Sequence, residues 1–197
     1  LEKMDSSAAL LRSTATELGD LEPADTAIVS WLSYGAPQEF YDALNPAFAR
    51  EGQTGLLRFA QGLSASSAHA PDDVKMTLGL HSYGSLVGTL ATQMEDGGVD
   101  SVVAYGSPGI AKTLPDDVDR YWMRNDLDLI RVAVNLGWYK FQPHVDDGWV
   151  ELGTAAADVD GVQLTEGKFH DYLDEGTTTL HNFGAVVVDR PEKMVLR

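Results

Sequence analysis

Ser82 sits in His81-Ser82-Tyr83-Gly84-Ser85, at the junction of two different patterns. Before it, Val74, Met76, Leu78 and Leu80 alternate with Lys75, Thr77 and Gly79, the period of a strand. After it, Gly84, Val87, Gly88 and Ala91 fall on one face of a helix. A strand that turns sharply into a helix, with serine at the bend and glycine two residues later, is a nucleophile elbow. The bend pushes the serine out of the sheet edge. The helix N-terminus offers N–H groups and a positive dipole end to a developing oxyanion, and the Tyr83 backbone N–H is the candidate donor. So tight a turn asks for small residues two before and two after the serine. Gly84 meets that demand; Leu80 does not, and Gly79 comes one residue early.

A serine hydroxyl is a poor nucleophile until a histidine takes its proton and a carboxylate orients that histidine. Five histidines are available. His69 lies in a polar connection before the bend. His81 adjoins the serine and is expected to pack or hydrogen-bond in the sheet. His144 lies in an acidic loop, and His181 belongs to the last helix, where a surface or packing role fits. His170, in Gly167-Lys168-Phe169-His170-Asp171-Tyr172, lies in a loop just before that helix. For the acid, Asp126 and Asp128 compete, and one of them can instead cap the following helix. Asp128 directly precedes the apolar Leu129-Ile130 and is preferred.

The elements that must position these groups alternate along the chain. Met4, Ala8, Leu11, Ala15 and Leu18 recur at helical spacing until Gly19 and Pro23 stop them. Thr26 to Leu32, TAIVSWL, is a nearly continuous apolar run and reads as a strand buried on both faces. Phe48, Gly52, Leu56, Phe59 and Leu63 mark a second helix, whose glycines suit close packing on a sheet. The helix after Ser82 should stop at Gly97-Gly98. Ser101 to Tyr105 and Arg120 to Arg124 read as further strands, separated by the turn Gly106-Ser107-Pro108-Gly109. Leu129 to Tyr139 is amphipathic, with Val132 and Leu136 on one side, as expected first of a plain packed helix and otherwise of a lid or substrate-pocket wall. A short strand is expected over Trp149 to Leu152, and Asp158, Asp160 and Gly161 read as a turn rather than a calcium loop. Leu180, Phe183, Gly184 and Val187 define a last helix ended by Pro191.

Strands alternating with helices imply an α/β fold with a doubly wound, mostly parallel sheet in one domain over 1–197. Ligand sites in such sheets lie at the carboxyl ends of the strands, where Ser82, Ser107, Asp126 and Asp128 would project. The 197 residues, 44% of them hydrophobic, are enough for a sizeable core. Lysine plus arginine total 14 against 30 acidic residues, a net charge of −16 that argues against nucleic acid as a partner. No cysteine is present, which excludes disulfides and thiol chemistry. No apolar run approaches the ~20 residues of a membrane span.

The chain resembles a bacterial family of uncharacterised α/β-hydrolases with an H-S-Y-G-S elbow. The shared landmarks are VSWLSYGAP (Val29 to Pro37), HSYGS (His81 to Ser85) and GSPG (Gly106 to Gly109). Asp128-Leu129-Ile130, and His170-Asp171-Tyr172-Leu173 ahead of Leu180 and Asn182, complete them. They cover nearly the whole chain. In that fold the chain order is serine, acid, histidine, and the base precedes the last helix. The resemblance therefore implies Ser82, Asp128 and His170 as a triad. Leu80 and Leu129 depart from it, standing where the family usually has glycine and proline. The fold also carries a glycine-rich oxyanion loop ahead of its first helix. No such loop precedes the first helix here, so the N-terminal strands of the fold are expected to lie outside this chain, or Leu32-Ser33-Tyr34 to supply a substitute donor.

The expected activity is serine hydrolysis of an ester, a small-molecule or lipid-like one, through an acyl-enzyme on Ser82. It calls for no metal or other cofactor. Two rivals differ in class. One is a catalytically inactive hydrolase fold used for binding, which an unreactive Ser82 would reveal. The other is a dinucleotide-binding domain, but LSYGAP after the first apolar run is not G-x-G-x-x-G.

Overall fold

The computed structural model describes residues 2–35, 46–67, 74–92, 98–110, 114–135, 142–143 and 147–197. Four strands, β1 (Thr77–His81), β2 (Ser101–Tyr105), β3 (Asp119–Met123) and β4 (Trp149–Glu151), are hydrogen-bonded in that order. β1 and β2 run parallel, with Thr77 opposite Ser101 and His81 opposite Tyr105. Parallel neighbours need a crossover, and the connection contains helix α3 (Gly84–Ala91). Ser101 to Ala104 are all buried, as a run of small and β-branched residues enclosed on both faces should be.

The chain divides into two compact units. One comprises Leu1–Ser30, Trp122–Leu129 and Val150–Arg197; the other comprises Trp31–Tyr121 and Ile130–Trp149.

In the second unit, α2 (Pro46–Ser67) packs on α3 around Ala49, Leu56, Tyr83, Leu86, Val87 and Ala91. Of the α2 glycines, Gly52 serves this helix–helix contact rather than the expected packing on a sheet, Gly55 faces Trp31, and a Cβ on Gly62 would meet nothing within 4 Å. A Cβ on Gly52 would lie 2.9 Å from Val87 and 3.0 Å from Tyr34. Helix α4 (Ile130–Asn135) forms the described part of the amphipathic segment, with Val132 exposed. Residues 136–139 lie outside the described residues, as does Gly97.

In the first unit, α1 (Glu2–Gly19) packs on α5 (Thr178–Val187), burying Leu11, Ala15, Leu180 and Phe183. The last turn of α1 is closed by Leu21 N–H on the Thr16 carbonyl at 3.0 Å and Asp20 N–H on the Glu17 carbonyl at 3.4 Å. This is a Schellman closure, and its left-handed residue is Asp20 at φ 52° rather than Gly19. Thr177 caps α5, its side-chain oxygen accepting from Leu180 N–H at 3.3 Å.

The strand expected over Thr26 to Leu32 is absent; the segment joins no sheet, and Val29 and Leu32 are exposed. A strand exists only where a neighbour takes up its backbone groups. Here Arg12 of α1 reaches the Thr26 carbonyl through Nε at 3.0 Å, and its Nη2 bonds Pro23 O. Beyond β4, an antiparallel hairpin pairs β5 (Ala157–Val159) with β6 (Val162–Leu164). Asp158 accepts from Gly161 N–H at 2.9 Å across its turn, so the Asp158-to-Gly161 segment is a turn as expected.

Candidate active site

Ser82 occupies the single bend between β1 and α3. Its φ is 52°, a left-handed conformation that costs a non-glycine residue roughly 1–3 kcal/mol. The bend is held from both sides: Ser82 N–H donates to Tyr105 O at 3.0 Å, and Ser82 O accepts from Ser85 N–H at 3.0 Å. Ser85, wholly buried, donates its hydroxyl to Leu80 O at 3.2 Å. Tyr83 begins α3 in helical geometry, its ring 6.5 Å from that of Tyr34 and its hydroxyl accepting from Ala49 N–H at 3.2 Å. Burial raises that hydroxyl above the ordinary phenol range.

The size rule for this bend works differently from the expectation. A Cβ on Gly84 would meet nothing within 4 Å, so packing does not require glycine there. Leu80, read as too large, is buried over Gly88 one turn further along α3. The space lies in the helix.

Among the described non-glycine residues, five have positive φ: Asp20, Ser82, Asp160, Phe169 and Asp189. Aspartate tolerates this region; serine and especially phenylalanine rarely adopt it. The two outliers are therefore the candidate nucleophile and the residue before the candidate base.

In the first unit, the loop after β3 and the loop before α5 meet. His170 Nδ1 lies 2.8 Å from Asp128 Oδ2, and the Asp128 side chain is 1% exposed. A carboxylate only accepts, so Nδ1 carries the proton and Nε2 is left with its lone pair in the neutral ring. Tyr172, also buried, donates its hydroxyl to the same Oδ2 at 2.7 Å and accepts from Asn125 N–H at 3.0 Å. Burial, followed by the bond to Asp128, holds that hydroxyl well above the ordinary phenol range, which keeps it a neutral donor. The Tyr172 carbonyl accepts from Thr179 Oγ1 at 2.6 Å at the start of α5. On the outer side of the loop, Lys3 of α1 pairs with Asp171.

Asp126 has a different partner. It is exposed and pairs with Arg197 Nη2 at 2.9 Å, while Arg197 Nη1 reaches Glu151 at 3.3 Å. The structure thus brings His170 together with Asp128, and Ser82 belongs to the other unit. The remaining expected positions have local roles. His81 stacks on Tyr105 with ring centroids 5.0 Å apart, and the buried His181 bonds Lys193 O through Nε2 at 2.9 Å. His69 and His144 lie outside the described residues. The Ser107 hydroxyl closes its own turn against Gly109. Asn182 holds the backbone of Gly153 and Val195. Asn125 and Tyr172 carry no catalytic signature in sequence; a lone asparagine after a strand reads as a turn residue.

A family model described as alpha/beta hydrolase matches residues 2–138, covering Ser82 and Asp128 and stopping short of His170. Uncharacterized proteins of Mycobacterium bovis and Mycobacterium tuberculosis are 30% identical over 151 residues, 74% of this chain. The chain spans 56% of the length of each. No solved structure matches. With a match that runs across both the bend at Ser82 and the loop of Asp128, and a sheet of the corresponding kind, this chain belongs to the alpha/beta hydrolase family.

Proposed function

We propose that the chain carries a serine hydrolase site in which Ser82 is the nucleophile, His170 the general base and Asp128 the residue that orients the base. The observation that carries this reading is the 2.8 Å bond between His170 Nδ1 and the enclosed Asp128 carboxylate. A histidine held by Nδ1 on a buried carboxylate, with 41% of its own side chain exposed, presents Nε2 to an incoming proton. The left-handed backbone of Ser82 supports the second half of the reading, since strain of this kind gathers where a side chain must be displayed.

The chemistry follows in two balanced steps. Nε2 takes the Ser82 proton as Oγ attacks an ester carbonyl, and the Tyr83 backbone N–H stabilises the resulting oxyanion at the start of α3. The imidazolium, held by Asp128, returns the proton to the leaving alcohol as the acyl-enzyme forms. Water then repeats the sequence, its proton passing to Nε2 and then to Ser82 as the acid is released. Esters are the proposed substrates because an alkoxide leaving group demands less protonation than an amine. The reading requires Nε2 within hydrogen-bond reach of Ser82 Oγ when substrate is bound.

Fluorophosphonate labelling tests it, with p-nitrophenyl acetate and butyrate hydrolysis run beside it. Labelling and turnover in the wild-type chain, lost in Ser82→Ala and reduced about 10³-fold or more in His170→Ala, are the expected results. A folded wild-type chain that neither labels nor hydrolyses, or labelling that survives Ser82→Ala, overturns the proposal.

A further inference from the structure

We propose that Asn125 is a positioning residue that sets the His170 ring against Asp128; this deepens the triad reading and rests on it. Asn125 lies two residues beyond β3 and is wholly enclosed. Its Nδ2 donates to Phe169 O at 3.0 Å and to Asp171 O at 3.2 Å, the carbonyls on either side of His170. Both N–H bonds of one carboxamide are thus spent on the backbone that carries the base. The reverse orientation of the amide would set Oδ1 against two carbonyl oxygens, so the surroundings dictate which way it faces.

The backbone of the same residue holds the acid. Asn125 O accepts from Asp128 N–H at 3.1 Å, and Asn125 N–H donates to the Tyr172 hydroxyl that in turn donates to Asp128. One residue therefore grips the base through its side chain and the acid through its main chain.

Two further features show how firmly the loop is held. Phe169 keeps a left-handed φ of 51°, which persists only where surrounding bonds over-determine it. Gly167 lets the loop backbone lie flat on the carboxamide: a Cβ there would stand 2.5 Å from Asn125 Oδ1 and 2.8 Å from Thr179 Cγ2. The need for such a clamp follows from exposure. With two-fifths of the His170 side chain open to solvent, packing alone does not hold the ring, and its direction depends on the backbone behind it.

The test is histidine-selective ¹⁵N NMR on the whole chain, with His170 assigned through His170→Gln, together with the rate of fluorophosphonate capture. Wild type is expected to show His170 as a single tautomer protonated at Nδ1. Asn125→Ala should shift it toward a tautomer average and slow capture by about 10²-fold, as a misplacement near 1 Å would. Should Asn125→Ala not fold, Asn125→Asp keeps the shape, sets oxygen against the two carbonyls, and is expected to give the same two changes. Wild-type His170 spectra in the folded variant, or an unchanged capture rate in a chain that labels, overturns the role assigned to Asn125. A wild-type chain that captures no probe overturns the nucleophile reading instead, and the tautomer comparison still decides whether Asn125 sets the ring.

Discussion

Leu80 closes over Gly88 within the strand–turn–helix that carries Ser82: a Cβ on the glycine would lie 2.2 Å from Leu80 Cδ2 and 2.9 Å from its Cγ. A leucine two residues before the serine is accommodated because the facing helix position has no side chain. Gly88→Ala is accordingly expected to cost about 1–3 kcal/mol through overpacking. Adding Leu80→Ala should recover part of that loss, giving a coupling energy of opposite sign in a double-mutant cycle. Gly84→Ala, with nothing in reach of its Cβ, should stay within about 0.5 kcal/mol of wild type. Urea denaturation of the four variants checks all three values.

The left-handed Ser82 links stability to the proposed chemistry. Replacing it by glycine removes the Cβ penalty, roughly 1–2 kcal/mol, against a gain in unfolded-chain entropy of roughly 0.4–1 kcal/mol. Ser82→Gly should therefore be at least as stable as wild type, and about 1 kcal/mol more stable than Ser82→Ala. Neither variant should react with fluorophosphonate. A Ser82→Gly chain clearly less stable than Ser82→Ala would show that the backbone at this bend is not strained.

The two aspartates after β3 should separate sharply by activity. Asp128→Asn leaves an amide facing His170 Nδ1 and favours the wrong tautomer, with an expected fall in turnover of about 10³–10⁴-fold. Asp126→Asn removes a surface pair with Arg197 and should change stability by about 0–1 kcal/mol, with turnover within about twofold of wild type. Ester hydrolysis by the two variants, each checked for folding by circular dichroism, distinguishes them.

Tyr172 adds a dependence on alkaline pH. Its hydroxyl titrates above its ordinary value of 10.0 in the folded chain because it is buried and bonded to Asp128. The folded state therefore holds this proton where the unfolded state releases it. The associated stability is complete below about pH 10 and is lost as pH rises beyond that, toward the folded-state value. At pH 8, Tyr172→Phe is expected to be about 1–3 kcal/mol less stable, since Asn125 N–H and Asp128 each lose a partner. By pH 11 the gap should narrow by about 1.4 kcal/mol, one unit of ionisation in the unfolded chain. Urea midpoints measured from pH 8 to 11 give the slope, and a gap that widens with pH contradicts the assignment.

What was legible in the sequence was local. The change from period two to helical spacing around Ser82 located β1, α3 and the bend between them, because side-chain direction along a strand or helix is set by immediate neighbours. The same holds for β2 at Ser101–Tyr105 and for the first and last helices. Tertiary structure decided whatever needed a distant partner. Thr26 to Leu32 has the composition of a buried strand, yet Arg12 takes the Thr26 carbonyl and the segment pairs into no sheet. Asp126 and Asp128 are two residues apart and nearly equivalent on paper. Arg197, 71 residues away, pairs with one, while His170, 42 residues away, bonds the other. Asn125 gave no signal at all, since its worth lies in two carbonyls 44 and 46 residues along the chain. Periodicity reports which face of an element is covered; only the folded chain determines which polar groups meet there.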